Sequence, residues 1–140
     1  MNRDYLDQFV NFIGNFSPGL KYSSCIGKEV NMLDTTLSVE NCKIRSTLYS
    51  KPTDAHSYLH YDSCHSVSCK NSIPYSQFLR VRRICSEFED YKVKVKTMFQ
   101  HFVNRGYPKR VLHRAKDKVD RLDRKQLLSY NKKVVNRMIG

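Results

Sequence analysis

The chain has 140 residues, of which 40% are hydrophobic and 11% aromatic, which suits one domain with a modest core and argues against wholesale disorder. The formal net charge is +12, and residues 71–140 carry all of it, because residues 1–70 hold seven Lys and Arg and seven Asp and Glu. Such a concentrated cationic field attracts polyanions such as nucleic acid or anionic lipid; the alternative is a solvated face that only keeps the protein in solution.

Membrane insertion and secretion are not expected. No apolar stretch approaches the roughly 18 residues that a membrane-spanning helix needs, and no apolar run like that of a signal peptide follows Met1. The five cysteines are an odd number, so we expect reduced thiols. They are Cys25, Cys42, Cys64, Cys69 and Cys85. The predicted location is intracellular, nuclear or cytoplasmic.

The first predicted element is a short amphipathic helix over residues 4–15. Its apolar side chains fall at helical spacing on one face, at Leu6, Phe9, Val10 and Ile13. The run of residues 16–19 contains Pro and Gly and ends the helix.

A small antiparallel meander is predicted next, with its first strand at residues 20–24. The second strand covers residues 33–39, where apolar and polar side chains alternate as in a half-buried strand. A tight turn at residues 40–43 leads to the return strand at residues 44–49, and Asn41 tolerates the positive φ of a type I′ turn. Because so small a sheet needs a cover on one face, we expect the first helix to supply it.

Residues 55–72 show no clean period and are predicted to form a long loop, a feature that is often functional. Five side chains of the kinds that bind zinc lie in this segment: His56, His60, Cys64, His65 and Cys69. There is no Cys-x-x-Cys pair, and this single cluster must supply all four ligands. We therefore expect no metal site and no cofactor.

Three or four helices are predicted from Ile73 onward. Pro74 suits the first turn of the first helix, and Ser86-x-x-Glu89 matches a capping box that opens the second. Gly106 closes the second helix, because glycine accepts the left-handed cap.

The third helix begins after Pro108, with Val111, Leu112, Ala115, Val119 and Leu122 facing inward, and a fourth is predicted from about residue 124 to 138. Short helices joined by a glycine-containing turn are similar to a helix-turn-helix layout.

Lys and Arg crowd these helices at a density that neutralises phosphates and releases counterions. The best candidates for phosphate contacts are Arg80, Arg82, Arg83, Lys109, Arg110 and Arg114. Tyr75 and Tyr107 are candidates to stack on a base or sugar, although core packing is the favoured interpretation of each.

Signatures of catalysis are absent from the sequence. It contains no G-x-S-x-G, no G-x-x-x-x-G-K and no Asp-Asp step. Asp117, Asp120 and Asp123 recur every three residues, and in so basic a helix we expect them to pair with Lys and Arg. The chain alone is therefore not expected to be an enzyme.

Three stretches resemble the C-terminal part of the reverse transcriptases of Penelope-like retroelements, a part described as an animal helix-turn-helix domain. The first is residues 48–59, with Lys51-Pro52-Thr53-Asp54 at its centre, preceded by residues 33–36. The second is residues 72–86, with Ile73-Pro74-Tyr75-Ser76-Gln77, preceded by residues 63–65. The third is residues 102–108, and the resemblance spans roughly residues 5–125.

The resemblance implies that the strands are the last of a polymerase palm and that the helices are a thumb-like region. Such a region grips the template–primer duplex by backbone contacts. In that family the catalytic Asp-Asp lies upstream of the segment that matches residues 5–23, so a non-catalytic fragment is implied.

We thus predict an α+β fold in three segments: residues 1–54, a palm-end-like helix and meander; residues 55–72, a His/Cys-rich loop; and residues 73–140, a basic helix-turn-helix-like region. The predicted function is non-catalytic binding of nucleic acid, DNA, RNA or a hybrid duplex. The alternative is a helical protein-interaction or structural module whose basic surface only solubilises it.

Overall fold

The computed structural model describes residues 3–16 and 19–129, and its fold is the predicted α+β arrangement. The elements are α1 (Arg3–Asn15), β1 (Glu29–Met32), β2 (Thr35–Glu40), β3 (Lys43–Leu48), α2 (Val67–Ile84), α3 (Phe88–Asn104), α4 (Lys109–Asp120) and α5 (Arg124–Leu128). An N-terminal helix, a three-stranded antiparallel sheet and a helical bundle therefore follow one another along the chain.

The sheet has the order β1-β2-β3, and two-residue turns join its strands. Glu40 pairs with Lys43 around Asn41 and Cys42, which have φ of 49° and 59°. Two successive positive φ values are those of a type I′ turn, which confirms the predicted hairpin.

The prediction of a first strand at residues 20–24 is wrong, because the strand that pairs with β2 is β1. Met32 pairs with Thr35, so a turn at Leu33 and Asp34 joins β1 directly to β2. Strand β1, which immediately precedes β2 in the chain, therefore occupies the edge position that residues 20–24 were expected to fill.

The expected cover of the sheet by the N-terminal helix is also not found. Helix α1 has no buried residue, and Phe9 and Phe12 are 61% and 62% exposed. The sheet instead packs through β3 on α2 and α3, where Leu48 is buried. The bundle offers β3 both an apolar contact at Leu48 and polar partners for its side chains and backbone.

Polar contacts fix the sheet to the bundle. Arg45 of β3 donates to both carboxylate oxygens of Asp90 in α3, at 2.6 and 2.8 Å. The Ser46 amide N–H donates to Ser86 Oγ at 3.1 Å, and the Ser86 amide N–H donates to the Ser46 carbonyl at 2.9 Å. These bonds satisfy backbone groups on the open edge of β3.

The core lies between α2, α3 and α4. Its fully buried side chains include Phe78, Val95, Phe102 and Leu112, one or more from each helix. The ring of Phe102 contacts the rings of Phe78 and Tyr107, with centroids 6.0 and 5.0 Å apart, in the edge-on geometry that aromatic pairs favour.

Helix α2 begins six residues earlier than predicted. Ser66 caps it, because its Oγ accepts a hydrogen bond from the Cys69 amide at 3.4 Å. Pro74 is therefore the eighth residue of the helix and not part of its first turn. Its ring is buried in the core, and this packing offsets the backbone hydrogen bond that proline cannot donate.

The predicted capping box of α3 is wrong as well. The N-cap is Glu87, which makes no side-chain cap bond, while the hydroxyl of Ser86 is engaged with Ser46 of β3. The fourth predicted helix starts at Arg124 as expected, but it ends at Leu128, because the C-cap residue Ser129 has an extended backbone conformation. The rest of the predicted range, residues 130–138, lies outside the described residues. None of the helices within residues 3–16 and 19–129 has both the length and the apolar content needed to cross a bilayer.

Candidate nucleic-acid interface

A tight turn at residues 105–108 sets the direction of α4 relative to α3. Gly106 has φ of 81°, a left-handed conformation that other residues adopt only with strain. Tyr107 is buried, and its amide N–H donates to the Phe102 carbonyl at 3.1 Å. The Arg105 carbonyl accepts from the Tyr61 amide at 2.9 Å. The turn is thus fixed by both conformation and hydrogen bonding.

Helix α4 has one apolar face and one cationic face. Leu112, Ala115 and Val119 are buried against α2 and α3. The helix carries five Lys and Arg against two Asp. Because its hydrophobic residues are confined to one side, the charged residues project from the bundle.

One cation of α4 is paired within the bundle. Lys116 donates to Asp120 at 2.5 Å, and the Tyr91 hydroxyl donates to the other carboxylate oxygen at 2.6 Å. Burial acts to raise the pKa of Asp120, but these two hydrogen bonds hold its pKa below the usual value. Burial and the bond to Asp120 raise the pKa of Tyr91. This cluster fastens the C-terminal end of α4 to α3.

The other four cations of α4 are exposed, and within residues 3–16 and 19–129 no carboxylate lies within ion-pair distance of them. They are Lys109, Arg110, Arg114 and Lys118, which we call the α4 cationic face. Charges that are not neutralised by the protein are available to a polyanionic ligand.

A groove of about 530 Å³ runs between α4 and the N-terminal half of α2. One wall carries Arg110, Arg114 and Lys118, and the other carries Asn71, Ser72 and Tyr75. Successive cations are four residues apart, so they are separated by roughly 6 Å along the helix axis. We call this feature the α2–α4 groove.

The structure brings three of the six candidate phosphate-binding residues together, Lys109, Arg110 and Arg114. Lys118 was not among those six, although its spacing of four residues from Arg114 places it on the same side of α4. The helical repeat in the sequence was therefore enough to place Lys118 beside Arg114.

Arg80 and Arg82 lie elsewhere and are engaged with the protein itself. Arg80 forms an ion pair with Asp34 next to β2, and its hydrogen bonds hold the pKa of that carboxyl below the usual value. The guanidinium of Arg82 lies over the rings of Phe88 and Tyr91, 5.0 and 5.4 Å from their centroids. Both arginines therefore stabilise contacts between elements of the fold.

Arg83 is exposed at the C-terminal end of α2, where its backbone carbonyl accepts a hydrogen bond from Arg124 Nε at 3.2 Å. It does not line the α2–α4 groove.

The two candidate stacking residues have different environments. Tyr107 is 3% exposed and packs against Phe102 and Tyr61, which makes it a core residue. Burial raises the pKa of its hydroxyl. Tyr75 is half-buried and forms part of the groove wall. Of the two, Tyr75 is the one that a ligand in the groove reaches.

The His/Cys-rich segment does not converge on one point. His56 stacks on His101 of α3 with ring centroids 4.2 Å apart, while Cys64 and Cys69 are exposed free thiols. Across the part of the chain that the structure describes, no three His, Cys, Asp or Glu side chains are grouped to hold a metal ion.

Comparison with known proteins places one match on this region. Residues 57–117 match the family model of the animal helix-turn-helix domain. The segment includes α2, α3, the turn at residues 105–108 and most of α4, so it fits the helix-turn-helix-like bundle and indicates DNA binding in general terms. No curated protein and no solved structure matches the chain.

Proposed function

We propose that the chain binds a nucleic-acid duplex through the α4 cationic face, with α4 acting as the recognition helix. The observation that carries this proposal is the set of four exposed cations on α4 without an acidic partner in the described ranges. In a helix-turn-helix unit the helix after the turn enters the major groove with its N-terminal residues toward the bases. Helix α4 occupies that position after Gly106.

The residues of α4 have distinct expected roles. Lys109 and Arg110 lie in its first turn and reach the backbone or base edges first, while Arg114 follows one turn later. Most protein–DNA hydrogen bonds go to phosphates, which position the protein, and an arginine that reaches guanine adds specificity. The pairing of Lys116 and Tyr91 with Asp120 keeps the helix aligned on the bundle.

The resemblance to Penelope-like reverse transcriptases makes this proposal more specific. In that family the corresponding helices are thumb-like and hold the template–primer duplex. We therefore propose that the ligand is a template–primer or hybrid duplex, that the segment contributes binding and no catalytic group, and that it acts in the nucleus or cytoplasm. The four arginines and lysines suit a phosphate backbone of either DNA or RNA.

A protein-interaction role is the second candidate, and the exposed apolar residues of the sheet favour it. Val39 and Ile44 pair across β2 and β3 and are 63% and 75% exposed, and Leu33 in the β1–β2 turn is 84% exposed. Exposed apolar neighbours such as Val39 and Ile44 are typical of interaction surfaces. The cations would then only solubilise the bundle. Salt dependence separates the two functions, because phosphate contacts release counterions and apolar contacts do not.

The test is fluorescence anisotropy with a labelled duplex at several salt concentrations. The double variant Arg110→Gln/Arg114→Gln is compared with Lys28→Gln/Lys43→Gln, which loses the same charge from exposed residues of the sheet region. We expect the first variant to bind weakly and to lower the log–log salt slope by about two, at about one unit per phosphate contact. Equal losses in both variants, or no binding at low salt, would contradict the proposal.

A further inference from the structure

The α2–α4 groove has a composition that a flat duplex-binding surface does not require. An aromatic ring, Tyr75, lies in its wall opposite a row of three cations. Duplex bases are stacked on one another, so their faces are closed to such a ring, whereas the bases of a single strand are open to it.

We infer that the groove takes a single-stranded extension of the nucleic acid, with its phosphates on Arg114 and Lys118 and one base stacked on Tyr75. This inference rests on the proposed function, because Arg110 and Arg114 at the edge of the groove also face the duplex. The ligand would then be a junction between duplex and single strand.

The spacing of the cations supports this ligand. The step of roughly 6 Å between Arg110, Arg114 and Lys118 is comparable with the separation of neighbouring phosphates along one strand. Sites for single strands combine such a positive track with aromatic stacking platforms. Both parts are present here within one groove of about 530 Å³.

The polar groups opposite the cations are compatible with a base. The Asn71 side-chain oxygen accepts a hydrogen bond from the Tyr61 hydroxyl at 3.3 Å, which leaves the Asn71 amide hydrogens for a ligand. Ser72 donates its hydroxyl hydrogen to the Cys69 carbonyl at 2.7 Å, so its oxygen remains an acceptor. The groove thus offers a donor and an acceptor beside the ring of Tyr75.

The experiment compares a blunt duplex with the same duplex that carries a single-stranded tail, as DNA and as RNA. The tail contains 2-aminopurine, whose fluorescence falls when it stacks on an aromatic ring. We expect the full chain to bind the tailed duplex at least about fivefold more tightly than the blunt one, with quenching. Tyr75→Phe should retain both effects, and Tyr75→Leu should abolish both while leaving blunt-duplex affinity unchanged.

Two further variants keep the test decisive. Phe99→Leu removes another half-buried helical aromatic that lies outside the groove, and we expect it to keep the tail preference. Lys118→Gln alters an exposed residue, so the fold is not at risk, and we expect it to reduce the preference for the tail.

Failure of the inference and failure of the proposed function give different results. Two results would overturn the inference alone, provided that the chain still binds blunt duplex through Arg110 and Arg114. The first is that the chain shows no preference for the tailed duplex. The second is that this preference persists in both Tyr75→Leu and Lys118→Gln. Absence of binding to any duplex overturns both.

Discussion

The sheet and the helical bundle differ in how they are held together. The bundle of α2, α3 and α4 has a core of its own, whereas Leu48 is the sheet's one buried hydrophobic side chain within residues 3–16 and 19–129. The sheet is attached to the bundle mainly by polar contacts, Arg45 to Asp90 and Arg80 to Asp34. The difference indicates that the bundle supplies most of the stability and that the sheet depends on it.

The largest difference is expected between the bundle and α1, a helix without a buried residue, when an aromatic ring is removed from each. Phe102→Ala should lower the free energy of unfolding by about 3–5 kcal/mol, because Phe102 is fully buried and its loss leaves a cavity. Phe12→Ala in α1 should change it by less than about 0.5 kcal/mol, because that ring is mostly exposed. Urea unfolding followed by circular dichroism measures both, and similar losses would remove the distinction between the regions.

A glycine from the bundle and a glycine from α1 give a smaller contrast. Gly106→Ala should destabilise the chain by about 1–2 kcal/mol, because alanine at a φ of 81° is strained even though the added Cβ meets only ordinary contacts. Gly14→Ala should be neutral or stabilising by a few tenths of a kcal/mol, because alanine suits a helix better and nothing lies within 4 Å of the new Cβ. Thermal melts of the two variants should shift in opposite directions or differ clearly in size; equal shifts would contradict the assigned backbone conformations.

Acid should weaken the attachment of the sheet to the bundle, as it should also weaken the Asp120 cluster that fastens α4 to α3. Hydrogen bonds from Arg80 and Arg45 lower the pKa of Asp34 and Asp90 in the folded state. Their stabilising contribution is therefore fully present above the unfolded pKa of 3.8 and is lost as pH falls through the lower folded values. We expect the free energy of unfolding to decrease from about pH 5 to about pH 2 and the double variant Asp34→Asn/Asp90→Asn to show a flatter profile. An unchanged profile in that variant would exclude these two carboxyls as the origin.

The smallest effect is expected at the exposed end of the sheet, beside the β2–β3 turn. Ile44→Thr should change the free energy of unfolding by less than about 0.5 kcal/mol, because Ile44 is 75% exposed and threonine retains the β-branched shape that strands favour. A loss above 1 kcal/mol, on the order of a buried contact, would show that this face is covered in solution. Chemical denaturation at two protein concentrations would reveal whether a second copy supplies that cover.

Local periodicity predicted the helical bundle well. Of the five apolar residues expected to face inward in the third helix, Leu112, Ala115 and Val119 are buried. Val111 is only half-buried and lines the α2–α4 groove, and Leu122 lies beyond the end of α4.

The hairpin turn at residues 40–43 was also predicted, because its geometry depends on the backbone conformation of consecutive residues such as Asn41. The early start of α2 was not predicted, because Pro74 suggested a first helical turn, whereas the helix begins at the Ser66 cap and buries Pro74 in its interior.

Contacts between distant parts of the chain account for what the sequence did not show. Arg80 and Asp34 are 46 residues apart, and nothing in the local pattern distinguishes Arg80 from the free cations of α4. The stacking of Arg82 on Phe88 is closer in sequence, but it depends on the direction that the chain takes between the end of α2 and the start of α3. Three of the four residues of the α4 cationic face, Lys109, Arg110 and Arg114, were among the six predicted phosphate contacts, because residues that share one helix can be grouped from the sequence.

The most direct test of the account is a map of backbone amide chemical shifts by NMR as the chain is titrated with a duplex. The α4 cationic face is proposed as the binding surface, so the largest changes should fall in α4 and in the turn at residues 105–108. The strands β1–β3 should change little. Shifts that are largest in the strands, or spread evenly over the described residues, would contradict the assignment of α4 as the helix that holds nucleic acid.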